Sequence, residues 1–421
     1  MDRRSVSMRK HLLALAAFTT MSLTANAENC EPEWNSFSSG GQIGLSGSVR
    51  ALAVFQGDLI VGGSLDSAGG QQINHIARWD GTQWHTLESG GQVGVGGGSS
   101  AGDVAVDALA VWDDKLVVGG RFETAGGQEM NRIAMWDGDA WHPMITIDAN
   151  DDEVFGIGAF NSIVYDLQVR GNDLVVAGFF ETAGGLTMNN IARRVGSTWQ
   201  AFDVDSEIGM NTRVMALAEW NGELIAGGRF RFAGGQEVNR IARWNGNTWL
   251  PFASGGQTGV DGPTTSVRIR SLVEHKEDLY VGGRFDTAGG QIMNHVARWD
   301  GKQWHPLTTN GLPGIDGSGT LEVYAMVEYQ DDLIIAGFFA EAGGDTMNHI
   351  ARWDGDQWHP FVVGEETGMQ TRVQSVMLKN QVLLAGGIFN LAGGKEVRRL
   401  ASWDGCADDQ ELIFSNRFEV P

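Results

Sequence analysis

Seven histidines recur at two fixed places in this chain of 421 residues: His75, His295 and His349 each follow an Asn, and His85, His142, His305 and His359 each follow a Trp. Neutral imidazoles are common metal ligands, so the first chemistry to weigh is a metal centre. An ion of the zinc type needs three or four donors at about 2 Å, whereas equivalent places in a tandem repeat are held apart. The spacing therefore predicts structural or exposed histidines and no metal site. Asp148-Ala149-Asn150-Asp151-Asp152-Glu153 alternates acids as a calcium loop does. Glu153 stands where that loop needs Gly, and Ala159 where it needs a bidentate Glu, so calcium near Asp148 to Asp152 is left open. The glycines from Gly94 to Gly98 precede neither a helix nor a Lys, which removes support for phosphate binding.

Tryptophan offers a second chemistry. Thirteen of the 15 fall in two columns, 79, 136, 244, 299, 353 and 403 in one and 34, 84, 141, 199, 249, 304 and 358 in the other. A row of indoles can bind sugars, but a ring repeated in every unit is what packing between units requires, and core is the reading taken. The repeated Asn74, Asn131, Asn189, Asn239, Asn294 and Asn348 read as satisfying backbone groups at a turn. Arg78 with Asp80 reads as a surface or inter-unit pair.

One column behaves differently. Most units contain Val-x-Ala-Leu or a close variant, and x is Arg50, Asp107, Tyr165, Met215, Arg270, Tyr324 and Gln374 in turn. Packing positions converge because each unit meets an equivalent neighbour, so a column of mixed charge and aromatics among constant apolar ones points away from packing. Arg50, Asp107, Tyr165, Arg270 and Tyr324 are the candidate binding residues, expected to line a funnel where polar groups and Tyr orient a ligand. No catalytic residues are assigned, and no cofactor is implied.

The elements that hold these columns follow from self-similarity. Residues 58 to 85, DLIVGGSLDSAGGQQINHIARWDGTQWH, return without a gap at 115, 173, 223, 278 and 332, and a shorter seventh copy runs from Val382 to Cys406. The Ala-Gly-Gly triplets begin at 68, 125, 183, 233, 288, 342 and 392, so successive units are 57, 58, 50, 55, 54 and 50 residues apart. Each unit parses as four strands: Val49 to Phe55, Asp58 to Gly63, Asn74 to Trp79, and a short strand at Trp84 reached through Asp80-Gly81, a hairpin signal. Four antiparallel strands at this period predict an all-β fold, a seven-bladed β-propeller of four-stranded blades. Length varies between units, as in Ser89 to Asp103, which reads as surface loop.

The seventh copy lacks its fourth strand, and Glu33 to Gln42 matches Gln83 to Gln92 in register. The N-terminal strand is therefore expected to complete the last blade and close the ring. Cys30 and Cys406 then fall on either side of the break, and a disulfide between them, closing a loop of about 375 residues, is expected in an exported protein. A longer period overlies the short one: Gly-Phe-Phe and Thr-Met-Asn of unit three return in unit six, and Ile208 to Val214 has its partner in Thr367 to Val373.

The Gly-Gly pair, the third-strand aromatic and the fourth-strand Trp resemble kelch-type propellers. The GG-x-F, AGG and N-x-I-A-x-W blocks are similar to repeats of exported bacterial and fungal surface proteins. The likeness spans residues 49 to 406, with Val195 and Arg398 as departures. It implies the fold and an extracytoplasmic setting, and no one activity.

Arg3, Arg4, Arg9 and Lys10 before the apolar run Leu12 to Phe18, with Ala25-Asn26-Ala27 after it, read as a signal peptide over 1-27. The propeller then occupies 28-406, and an acidic then apolar tail 407-421. Removing four cations and Asp2 takes the formal charge from -22 to -25 (-22 - 4 + 1). That balance argues against nucleic acid and anionic lipid, both of which need a basic footprint. No membrane span is expected after cleavage, and a monomer in the periplasm or outside the cell is the expectation. The function read from this is a non-catalytic binding or scaffold propeller presenting loops and a central funnel to a protein or glycan. The alternative is a propeller-type hydrolase or lyase acting on an extracellular polymer at the channel mouth.

Overall fold

The computed structural model of the protein describes residues 31–98, 104–147, 150–158 and 161–405. The signal segment, Cys30, Cys406, the tail, Asp148, Ala149 and Ala159 lie outside the described residues.

The fold is all-β and built from four-stranded antiparallel sheets. In unit one the order is Ser48–Phe55, Asp58–Ser64, Ile76–Trp79 and Trp84–His85, each strand paired with the next. The same order recurs down the chain, with first strands Ala105–Trp112, Ile163–Arg170, Val214–Trp220, Arg268–His275, Glu322–Tyr329 and Val373–Lys379. In the last of these sheets the fourth place is taken by Glu33–Ser36, which pairs Glu33 with Asp404 and Trp34 with Trp403. No helix among the described residues is long and apolar enough to cross a membrane.

Strands form here because β-branched and aromatic residues alternate with positions that face a neighbouring unit. The second strands, such as Asp58–Ser64, are buried along nearly their whole length, since both faces meet another sheet. Close stacking also explains the first Gly of the Gly-Gly pair. A Cβ on Gly62 would sit 2.4 Å from Cγ1 of Val106 in the next unit, and one on Gly119 2.5 Å from Cγ1 of Val164. Tryptophan fills the third- and fourth-strand side of most units. Trp84, Trp141, Trp249 and Trp304 are fully buried, and third- and fourth-strand rings meet at 4.9 to 5.2 Å. Unit three replaces the third-strand Trp with Arg194, whose guanidinium lies 5.1 Å from the Trp199 ring centre.

Two features differ from the sequence reading. Ala-Gly-Gly is not a bare turn: Ser67–Ala68 pairs with Gln71–Gln72 as a separate small hairpin, with Gly69 and Gly70 at positive φ. The linkers between units are also partly ordered, for Glu88–Ser89 pairs with Gln92–Val93, and Val95–Gly96 pairs with Thr124–Ala125 of the next unit. These two-residue ladders lack the apolar alternation by which strands are recognised.

Candidate functional site

The variable column owes its position to a backbone irregularity. In every first strand the pairing skips one residue: Val49 and Ala51 are in register and Arg50 is not. Asp107, Tyr165, Met215, Arg270, Tyr324 and Gln374 are skipped in the same way. Such a bulge leaves the extra residue unpaired and re-aims its side chain. All seven line one cavity of about 510 Å³. The sequence candidates Arg50, Asp107, Tyr165, Arg270 and Tyr324 are thus brought together, joined by Arg121, Asp166, Arg372 and Ser375.

Two ion-pair groups organise this lining. Asp107 accepts hydrogen bonds from Arg50 at 2.8 Å and from Arg121 at 2.9 and 3.1 Å. Burial alone would raise its pKa, but Arg121 and then Arg50 outweigh it and hold the carboxyl below the usual range. Glu322, 1% exposed, accepts from Arg268 at 2.6 Å and from Arg270 at 2.9 Å. Arg270 also lies 5.6 Å from the ring centre of Tyr324, whose phenol burial pushes up above its ordinary pKa.

Asp166 is the residue that sequence reasoning missed. It occupies the Ala column, where other units carry Ala51, Ala108, Ala216, Ala325, Ser271 and Ser375. Its oxygens accept from the backbone N–H groups of Leu167 at 2.8 Å and Leu217 at 2.7 Å. Burial raises its pKa to about 6 against those two hydrogen bonds. The departure was visible as Val164-Tyr165-Asp166-Leu167 within an otherwise small-residue column.

The histidine columns do other work. His85, His142, His305 and His359 each bond an Asp of their own hairpin, Asp80, Asp137, Asp300 and Asp354, at 2.6 to 2.7 Å. The backbone N–H groups of Asp139 and Ala140, with His142, hold the Asp137 carboxyl well below its ordinary range. Asp80 is therefore not the partner of Arg78, which instead reaches Asp58 on the adjacent strand of its own unit at 2.9 Å. Asn74 donates to the carbonyl of Val93 at 3.0 Å, and its counterparts in units three to six reach the same place, 19 residues onward. The column thus ties a unit to its following linker. Among the described residues no group of three or more His, Cys, Asp or Glu is arranged to hold a metal ion.

The cavity does not stand alone. A second, of about 400 Å³, shares Arg121 with it and adds Arg132, Phe179 and Arg213. A third, of about 780 Å³, shares Asn161, Ser162 and Phe179 with the second and runs over units three and four.

No family model matches the chain, and no curated protein matches it. Solved structures resemble it at low identity. The computationally designed Ika8 protein is 16% identical, with 86% of this chain and 97% of that one covered and a TM-score of 0.43. The WD40 β-propeller domain of Doa1 is 12% identical over 86% and 94%, at 0.46. YjhT is 13% identical over 71% and 96%, at 0.37.

Proposed function

We propose that the chain is an exported, extracytoplasmic seven-bladed propeller, its ring closed by Glu33–Ser36 and its axial cavity a non-catalytic binding site for a glycan or a protein. Ring closure draws support from the packing of successive first strands, with Ser48–Phe55 lying against both Ala105–Trp112 and Val373–Lys379. A disulfide between Cys30 and Cys406 belongs to the same reading, and two free thiols in non-reducing mass spectrometry would refute it.

The observation that carries the function is the convergence of seven bulged residues of different type on one cavity, within units otherwise nearly alike. A glycan and polysaccharide array, probed with protein beginning near Glu28, is expected to return a ligand. Its binding should fall at least about tenfold, roughly 1.4 kcal/mol, in an R50A/R270A double variant. Asp107 keeps Arg121 and Glu322 keeps Arg268 in that variant, so the fold survives. Unchanged affinity would move the site to the loops between units.

One observation favours the hydrolase or lyase alternative. Asp107 and Asp166 line the same cavity with pKa values pushed in opposite directions, which is how acid and base roles are separated. New reducing ends or unsaturated products from an array-selected polymer, absent with D166N, would establish that reading over the first.

A further inference from the structure

Two arginines near the cavity stand over aromatic rings and, among the described residues, form no ion pair with a carboxylate. The Arg213 guanidinium carbon lies 4.6 Å from the ring centre of Phe179, and that of Arg372 lies 5.6 Å from the ring centre of Phe338. In both, Nε is buried without a hydrogen-bond partner. Arg268 occupies the same place in unit five, and there Glu322 neutralises it. The two exceptions come from the longer period, because the Phe stems from Gly-Phe-Phe of units three and six and the Arg from the recurring Thr-Arg-Val of units four and seven.

A guanidinium over a ring keeps its N–H edge free, and that edge matches a carboxylate with two parallel hydrogen bonds. Arg372 lines the first cavity and Arg213 the adjoining one, and Arg121 borders both. The two cations therefore lie in adjoining cavities that meet at Arg121. Adjoining cavities suit an extended ligand, and Tyr165 and Tyr324 are in the lining of the first. The exported chain would carry a net charge of -25 (-22 - 4 + 1), which opposes a polyanion at long range, so contacts at Arg213 and Arg372 must carry any such binding.

Resting on the cavity as a ligand site, we infer that Arg213 and Arg372 receive carboxylate groups of a linear acidic polysaccharide laid across the two adjoining cavities. The probe is polygalacturonate, compared with its methyl ester and with sulfated dextran by calorimetry at low and moderate salt. Polygalacturonate is expected to bind about tenfold or more tightly than the ester. R213Q and R372Q should each weaken it by about tenfold, with R213K restoring only part because the planar fork is lost. Unfolding midpoints measured alongside show whether each variant has folded, and R213K supplies the test if R213Q has not. Equal binding of acid and ester, preference for the sulfated polymer, or both Gln variants binding as the parent does would overturn the inference. If polygalacturonate fails to bind while a neutral array ligand is lost in R50A/R270A, this inference falls and the broader reading stands. An array without any ligand sinks this inference and leaves the broader reading to a protein partner.

Discussion

The paired tryptophans and the bulged residues occupy the same sheets and obey opposite rules. Third- and fourth-strand Trp recur at nearly constant geometry because each must fill the same space against the same neighbour. The bulged residue is Arg, Asp, Tyr, Met, Arg, Tyr and Gln in turn, because release from the strand ladder frees it from that demand. Uniformity marks where units meet each other, and variety marks where they face the cavity.

The sharpest way to break this contrast is to truncate one member of each class. W304A removes a ring that is 1% exposed and packed at 5.1 Å on Trp299, and should cost about 3–5 kcal/mol in denaturant unfolding. A loss below about 1 kcal/mol would mean that the indole column is not core.

Asp166 tests the boundary between the classes, since it sits in a packing column yet lines the cavity. Its folded pKa of about 6 lies above an ordinary 3.8, so the folded state holds the proton more tightly between those values. This contribution is fully present below about pH 4 and is lost as pH rises through about 6. The stability of D166S relative to the parent should therefore increase by about 2 kcal/mol from pH 4 to pH 8, the linkage value reduced for partial exposure. A flat difference between the two pH values would place an unseen cation beside the carboxyl.

The smallest effect is expected at the bulges themselves. Q374A should shift unfolding by less than about 1 kcal/mol, for its Oε1 makes no hydrogen bond and the side chain faces the cavity. A cost comparable to that of W304A would erase the contrast.

Much of the fold was legible because repetition averages out local ambiguity. Seven copies of one pattern make the four-strand parse and the partner of Glu33–Ser36 readable, where a single copy would leave helix and strand in competition. The candidate residues were legible for the opposite reason, as the column that does not repeat. Asp166 was hidden because it is a single departure in a column read as constant. The Arg78 partner was misread because sequence proximity favoured Asp80, whereas strand pairing places Asp58 across from it. The His–Asp contacts depend on hairpin geometry that spacing alone does not fix.

The pairing of Glu33–Ser36 with Leu400–Asp404 also imposes an order in time. Synthesis delivers Trp34 first and its partner Trp403 last, with the whole repeat array between them. Until then the strand has no partner in its own sheet and Trp34 lacks the Trp403 ring it packs against, which exposes both to pairing with other chains. A strand made before the repeat array pairs only after that array is complete, so it depends longest on protection.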